Sequence, residues 1–471
     1  MSEKTSNKEE VFVQQPKHVV KFIIMSAIGA FLFLAPIPTG DGGFNIPLGH
    51  AIGWLEGIFE GISFGTYAPE TMAGEFGFHY MLALIAITIS FVGALVTAIV
   101  KPAFILNNKH LKAVFETSPL YLIARAIAFA VVWMIFLGVG PDFIIQGFTG
   151  DLMIGLTSHL MVVFILLAPT MPLITSFGLM EFAGVMVQRF IRRFFTLPGR
   201  ASVDLLASWF GSSAASIIIT RDQHEKGYYT AREAAVIMTN FSFVSLPFTF
   251  VVASAIDLQE RFLLFYLIVC LVCILLAVLM PRIWPLKNIT DTYKAEAGKQ
   301  IVEEVPSDVS TFKWSVYLAS KKANETKAED IVKTGINNYL DIFMDLIPII
   351  LSLGTVALII VEFTDVFDYL AWPMAQLLNL LGVEGATEFA PATLLGFIDM
   401  YIPALIIGDA VEKTRFILGV LSIVQIIYLA ETGALIIKSK VGLGIGKLLI
   451  LFLMRTLIAL PIIVLLTHLF F

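Results

Sequence analysis

The chain has 471 residues, 58% of them hydrophobic and 14% charged, with a mean hydropathy of +0.86. Soluble proteins carry about 25% charged residues, so this composition excludes a soluble globular protein and indicates a polytopic membrane protein. The net charge of −6 comes with no domain-sized basic surface, which leaves no ground for nucleic-acid binding.

A polar tail, residues 1–17, precedes an apolar run at 18–37. That run has no small-residue cleavage pattern and is expected to be retained as the first span. No Lys or Arg occurs from Phe22 to Val100, whereas Asp41, Glu56, Glu60, Glu70 and Glu75 do. Basic residues favour the cytoplasmic side, so this stretch is expected outside and the amino terminus inside. Residues 44–63 are amphipathic and read as interfacial. Spans follow at 79–100, 119–139 and 152–177, and Lys101, Lys109 and Lys112 mark the cytoplasm. Arg189, Arg192, Arg193 and Arg200 mark it again after an amphipathic stretch.

Residues 201–221 (ASVDLLASWFGSSAASIIITR) are basic at both ends and hold a glycine at their middle, Gly211. Two arms of about ten residues, each ~15 Å as helix, predict a re-entrant hairpin. Residues 230–256 then cross, interrupted by TNFSFVSLPF, where Pro247 disfavours regular helix. Residues 262–284 cross back. Cys270 and Cys273 lie there in LIVCLVCILLAVL; the C-x-x-C spacing is that of redox and metal motifs. Small apolar residues on a lipid-buried helix are the preferred reading. The polar segment 285–335 holds eight Lys and eight acidic residues and is expected in the cytoplasm, with an amphipathic helix around Trp314–Lys322.

The layout then repeats: a span at 337–362, an amphipathic stretch at 366–383, and a second hairpin at 388–409 around Gly396. A broken crossing at 412–438 follows, with Gln425 and Glu431-Thr432-Gly433 at its break, and a last span at 447–470. Gly211 and Gly396 lie 185 residues apart. The first hairpin is flanked by Arg and the second by Glu384, Glu388, Asp409 and Glu412, so the two copies are expected upside down relative to each other. The predicted fold is an all-α polytopic membrane protein with about nine transmembrane helices plus two re-entrant hairpins in two inverted repeats with broken helices. The predicted divisions are a tail (1–17), three helices with an interfacial segment (18–140), a first repeat (141–284), a cytoplasmic linker (285–335) and a second repeat (336–471).

Interrupted helices free backbone groups and present charged helix ends near the midplane, where secondary transporters bind substrate and coupling ion. The candidate substrate-binding residues are therefore Gly211, Ser212, Ser213, Asn240, Ser242, Ser245, Gly396, Gln425 and Thr432. A single Ser or Asn in such a place also serves as glue between helices. Carboxylates within spans are costly and by default functional, which makes Asp399 and Glu431 candidates for coupling to Na⁺ or H⁺. The alternatives are an ion pair with Arg455 or a carboxyl kept neutral by burial. Asp341 and Asp345 share a helix face and read as interfacial; Asp204 and Glu181 read as structural, and Arg125 as snorkelling or paired. No catalytic residue, metal site or cofactor is expected. Gly442–Lys447 resembles a phosphate loop but lacks its spacing and hydroxyl. A serine hydrolase built on Ser212 or Ser213 with His159 has weak support.

The order of elements, with LPGRASVDLLASWFGSSAASIIITRDQ, TNFSFVSLPFTF, GFIDMYIPALIIGDAVEKTRF and YLAETGALIIKS, resembles the concentrative nucleoside transporters over about 140–470. It is also similar to the wider nucleoside-recognition or Gate superfamily, and most of all to its YjiH-like bacterial membrane proteins. The transporters carry a Gly-Gln-Thr-Glu motif at the first hairpin. Here those positions read Gly211-Ser212-Ser213-Ala214, so the base- and ribose-binding residues are not carried over. The resemblance implies the architecture and a homo-oligomer; together with the residues it gives the expectation of a bacterial inner-membrane secondary transporter of a small polar organic solute such as a nucleoside, amino acid or short peptide. A non-transporting membrane scaffold is the alternative.

Overall fold

In a bilayer core, backbone N–H and C=O groups must find partners within the protein, which confines spanning segments to helices and closed barrels. The computed structural model describes residues 16–38, 44–62, 77–145, 149–195, 197–210, 213–294 and 309–471, and helices carry most of them. Among these residues the only strands are β1 (Ile37–Pro38) and β2 (Phe44–Asn45), a two-residue antiparallel pair.

The amino-terminal part holds α1 (Pro16–Leu34), α2 (Pro47–Glu60), α3 (Phe78–Val100), the short α4 (Ala103–Leu106) and α5 (Lys109–Phe115), and α6 (Pro119–Leu137). After α7 (Asp142–Ile145) come α8 (Gly150–Thr175) and the amphipathic α9 (Leu179–Phe190). The first hairpin is α10 (Ala201–Phe210) and α11 (Ser213–Glu225). Ser216 Oγ donates to Asp204 O at 2.9 Å, which ties its two arms together. The first broken helix is α12 (Ala231–Asn240) and α13 (Leu246–Ala255), followed by α14 (Phe262–Leu279).

The linker contributes α15 (Thr311–Glu325), where the sequence placed an amphipathic helix. It packs against α1 and α9 and buries Ser315, Ala319 and Ala323. Gly178 makes this docking possible: its φ is +96°, and a Cβ there would lie 2.3 Å from Ala319 O.

The second set runs α16 (Ala328–Asp341), a π-helical turn Ile342–Leu346, α17 (Ile347–Phe363) and α18 (Val366–Leu380). The second hairpin is built of shorter pieces, α19 (Ala386–Phe389), α20 (Ala392–Leu395) and α21 (Ile402–Ile406). Pro391 lacks an N–H to continue α19, and the turn occupies Gly396–Tyr401 rather than one glycine. Then come α22 (Glu412–Val424), a π-helical turn Leu429–Gly433, α23 (Ala434–Lys438) and α24 (Ile445–Phe470). A shift of 185 residues carries α9, α10, α12 and α14 onto the segments that hold α18, α19–α20, α22 and α24.

Seven described helices are long and apolar enough to cross a membrane: α1, α3, α6, α8, α14, α16–α17 and α24. Their outer faces keep large apolar residues uncovered, among them Ile99 (72% exposed), Leu120 (73%) and Leu465 (70%). Such surface suits hydrocarbon, not water. One apolar core runs through both sets of elements. Arg125 in α6 does not snorkel. It is 1% exposed and donates to Asp345 Oδ1 at 2.7 Å and to Val114 O at 2.8 Å, joining the first three spans to the second set.

Candidate functional site

The breaks have local causes. Thr230 opens α12 with a capping box: its Oγ accepts from Glu233 N–H, and Glu233 accepts from Thr230 N–H at 2.8 Å. The helix stops at Asn240, and residues 242–245 carry no regular structure. Ser245 then starts α13 as its N-cap, with Pro247 in the first turn, where proline's missing donor is harmless. Pro247 therefore opens the second half of the helix rather than kinking it. In the other set, α22 ends at Val424, and Ile426 adopts φ +61°. A β-branched residue in the left-handed region is strained by of order 1–3 kcal/mol, a condition that clusters at functional sites.

Between the breaks and α8, α16 and the adjoining π turn lies a cavity of about 220 Å³. Ser213, Ser245, Asn338, Asp341 and Glu431 supply its polar wall, and Phe164, Met171, Phe248 and Met400 much of its apolar wall. Ser213 Oγ donates to Glu431 Oε1 at 2.6 Å. Ala214 N–H faces the same carboxyl. Glu431, from the second break, thus sits at the amino end of the first hairpin's second arm, where unsatisfied N–H groups favour an anion. Glu431 itself lies in a π-helical turn, and the cavity also abuts a second of the three described π turns through Ile342 and Leu346. Such irregular turns are frequent at functional sites.

Of the sequence candidates, the structure brings Ser213, Ser245 and Glu431 to the cavity. Asn240 and Gln425 do not line it. Asn240 Oδ1 accepts from Arg455 Nη1 at 3.0 Å. Gln425 Nε2 donates to Thr393 O and Thr456 Oγ1, both at 2.8 Å, and its Oε1 lies over Gly396, where a Cβ would approach to 1.9 Å. Thr432 serves its own break: its Oγ1 accepts from Tyr428 N–H at 2.9 Å and donates to Ile426 O at 2.8 Å. Asp399 accepts from Tyr401 N–H at 2.8 Å, shaping the second hairpin's turn. Ser242 Oγ is buried with no partner. Gly211 and Ser212 lie outside the described residues.

The ion pair considered for Glu431 does not form; Arg455 instead meets Asn240 and the carbonyls of Thr239 and Val424. His159 lies against Glu56 Oε1 at 3.1 Å and Ser254 Oγ at 3.4 Å, so it does not serve Ser213. Asp204 accepts from the Tyr229 hydroxyl within the base of the first hairpin, the structural part expected of it. Asn338 and Asp341 are the residues that sequence reasoning missed. The signal was two acids four residues apart, next to a pair of asparagines, inside a span.

The Gate family, described as nucleoside recognition, matches residues 123–259. A protein of Alkalihalophilus pseudofirmus strain OF4, itself described as uncharacterized, is 40% identical over 456 residues, covering 96% of this chain and 95% of that one. The chain belongs to the family of that bacterial protein. It is a Gate-domain membrane protein. The Gate match takes in α8 to α13, and with them Ser213, Asn240 and Ser245, while Asp341 and Glu431 come from beyond it. Among solved structures, the doubly substituted CNTnw in an outward-facing state is similar in extent. It covers 96% of the Gate-domain protein and 99% of its own chain, at 13% identity and a TM-score of 0.39.

Proposed function

We propose that the protein is a secondary active transporter that moves a small polar organic solute, a nucleoside, amino acid or short peptide, through the cavity between the two sets of elements. The contact that carries this reading is Ser213 to Glu431, a hairpin arm of one set held by the break of the other, at the edge of a mixed polar and apolar cavity. Irregular backbone inside a membrane is tolerated where it is buried or lines a cavity, and a scaffold has no need of it.

Glu431 is the coupling group in this reading. In its ionised form it holds the amino end of α11. Protonation, or a coupling cation beside it, weakens that hold and frees the hairpin to move. Asp399 supports the turn rather than the coupling. Among the described residues, both ionisable ones on the cavity wall, Asp341 and Glu431, are acidic, so solutes bearing an amino group are expected to outrank anions. The reading places the protein in a bacterial inner membrane, amino terminus in the cytoplasm and carboxyl terminus outside, from the distribution of Lys and Arg.

The test is uptake into proteoliposomes of solutes chosen by thermal shift from nucleosides, amino acids and dipeptides, under imposed H⁺ or Na⁺ gradients. Glu431→Gln is expected to abolish gradient-driven accumulation and to leave exchange of pre-loaded solute intact. Full accumulation in Glu431→Gln would remove Glu431 from coupling. A panel without any ligand, with bulky residues tolerated at Ser213 and Ser245, would favour the scaffold.

A further inference from the structure

Arg455 lies midway along α24 and is 0% exposed. Its Nε donates to the carbonyl of Val424, the last residue of α22. Its Nη1 donates to Asn240 Oδ1 at 3.0 Å and to Thr239 O at 3.5 Å, at the end of α12. One guanidinium therefore bridges the carboxyl ends of both broken helices, one from each set. Among the described residues no carboxylate forms an ion pair with it. The Cys273 thiol of α14 is a further polar neighbour.

A buried, unpaired charge is strongly unfavourable unless something replaces the water it loses. Here the replacement is visible. A helix carboxyl end carries about half a negative charge, so two such ends present roughly one negative charge to the one positive charge of Arg455. Carbonyls at the ends of half-helices are also the groups with which secondary transporters hold a coupling Na⁺.

We propose that Arg455 is a tethered cation standing where a diffusible coupling ion would otherwise bind. The position takes up no Na⁺ in the intact protein, and removing the guanidinium turns it into a site for small monovalent cations. This inference goes beyond the transport reading. It rests on that reading only for its consequence, that the exchangeable charge is the one at Glu431.

The experiment reads the melting temperature of the purified full chain in detergent. Sodium chloride, potassium chloride, choline chloride and low millimolar guanidinium chloride are compared at constant ionic strength. The intact protein is expected to melt at the same temperature in potassium, choline and guanidinium, and any rise in sodium is expected to persist in Asn240→Ala and to vanish in Glu431→Gln. Arg455→Ala is expected to melt several degrees lower in choline and to regain half or more of the loss with guanidinium or Na⁺. A Na⁺-dependent rise in the intact protein that Asn240→Ala abolishes would overturn the proposal, because a diffusible ion would then already sit there. Failure of both guanidinium and Na⁺ to restore Arg455→Ala would overturn it too. Should Arg455→Ala not fold, Arg455→Lys and Arg455→Gln decide. Lys melting above Gln supports a requirement for charge, and Gln equal to or above Lys refutes it. None of these readouts requires transport, so failure of the transport reading leaves them interpretable.

Discussion

Gly396 has no room for a side chain, because a Cβ would lie 1.9 Å from Gln425 Oε1. Gln425 cannot withdraw freely, since its Nε2 is held by Thr393 O and Thr456 Oγ1. Gly396→Ala is therefore expected to destabilise by about 1–3 kcal/mol, the usual cost of overpacking. Adding Gln425→Ala removes the obstructing oxygen, so the double variant should lose less than the sum of the two single ones. A melting-temperature cycle measures that coupling, and strict additivity would show that the two residues do not press on each other. Ser213→Ala removes a hydrogen bond to a carboxylate, for which about 1.5–3 kcal/mol is typical. Its loss should be small in a Glu431→Gln background, where the bond is between neutral groups. An equal loss in both backgrounds would mean that Ser213 acts through some other contact.

At the scale of elements, the caps set where the helices stop and start. Thr230 accepts from Glu233 N–H at 3.1 Å and donates to Asp291 Oδ1 at 2.6 Å, so it both opens α12 and fastens the start of the linker. Thr230→Ala should cost about 1–2 kcal/mol. Ser245→Ala removes a cap of the same kind, yet Ser245 also lines the cavity. The expected distinction is that Thr230→Ala lowers the melting temperature and leaves ligand-induced shifts intact, whereas Ser245→Ala lowers both. The docking of α15 turns on Gly178. Alanine there would need an unfavourable φ and a clash with the Ala319 carbonyl. Gly178→Ala should therefore raise hydrogen exchange along α15 well above that of α14; unchanged protection of α15 would show that the helix does not depend on this approach.

At the scale of the molecule, the opposite orientation expected of the two sets predicts opposite sides for their amphipathic ends. With Cys270 and Cys273 replaced, a cysteine at Asp365 should react with an impermeant maleimide in intact cells. A cysteine at Arg193, at the end of the corresponding amphipathic stretch of the first set, should react only after permeabilisation. Equal labelling at both would reject the inverted arrangement. Arg125 joins the first three spans to the second set through Asp345, whose side chain is 49% exposed. That exposure moderates the pair, so Arg125→Leu should cost about 1.5–3 kcal/mol rather than the larger penalty of a fully buried ion pair. Asp345→Asn, which keeps an acceptor, should cost less than Arg125→Leu.

The spans, the two hairpins and the two breaks were legible in the sequence, because each depends on local quantities: a run of apolar residues, a glycine or proline within it, a Ser or Thr before a helix. The 185-residue offset that carries α10 onto α19–α20 was legible for the same reason. Glu431 was singled out as an acid where acids are costly, and the structure puts it on the cavity wall. What met what was not legible. Ser213 lies 218 residues from Glu431, and Asn240 lies 215 residues from Arg455. No periodicity reports such distances. Thr432 and Asp399 looked like ligands and hydrogen-bond to their own backbone, and Asp341, which looked interfacial, lines the cavity. Polarity within a span tells that a group needs a partner. Only the packing of distant helices decides whether that partner is the protein's own backbone, a buried arginine or the open cavity.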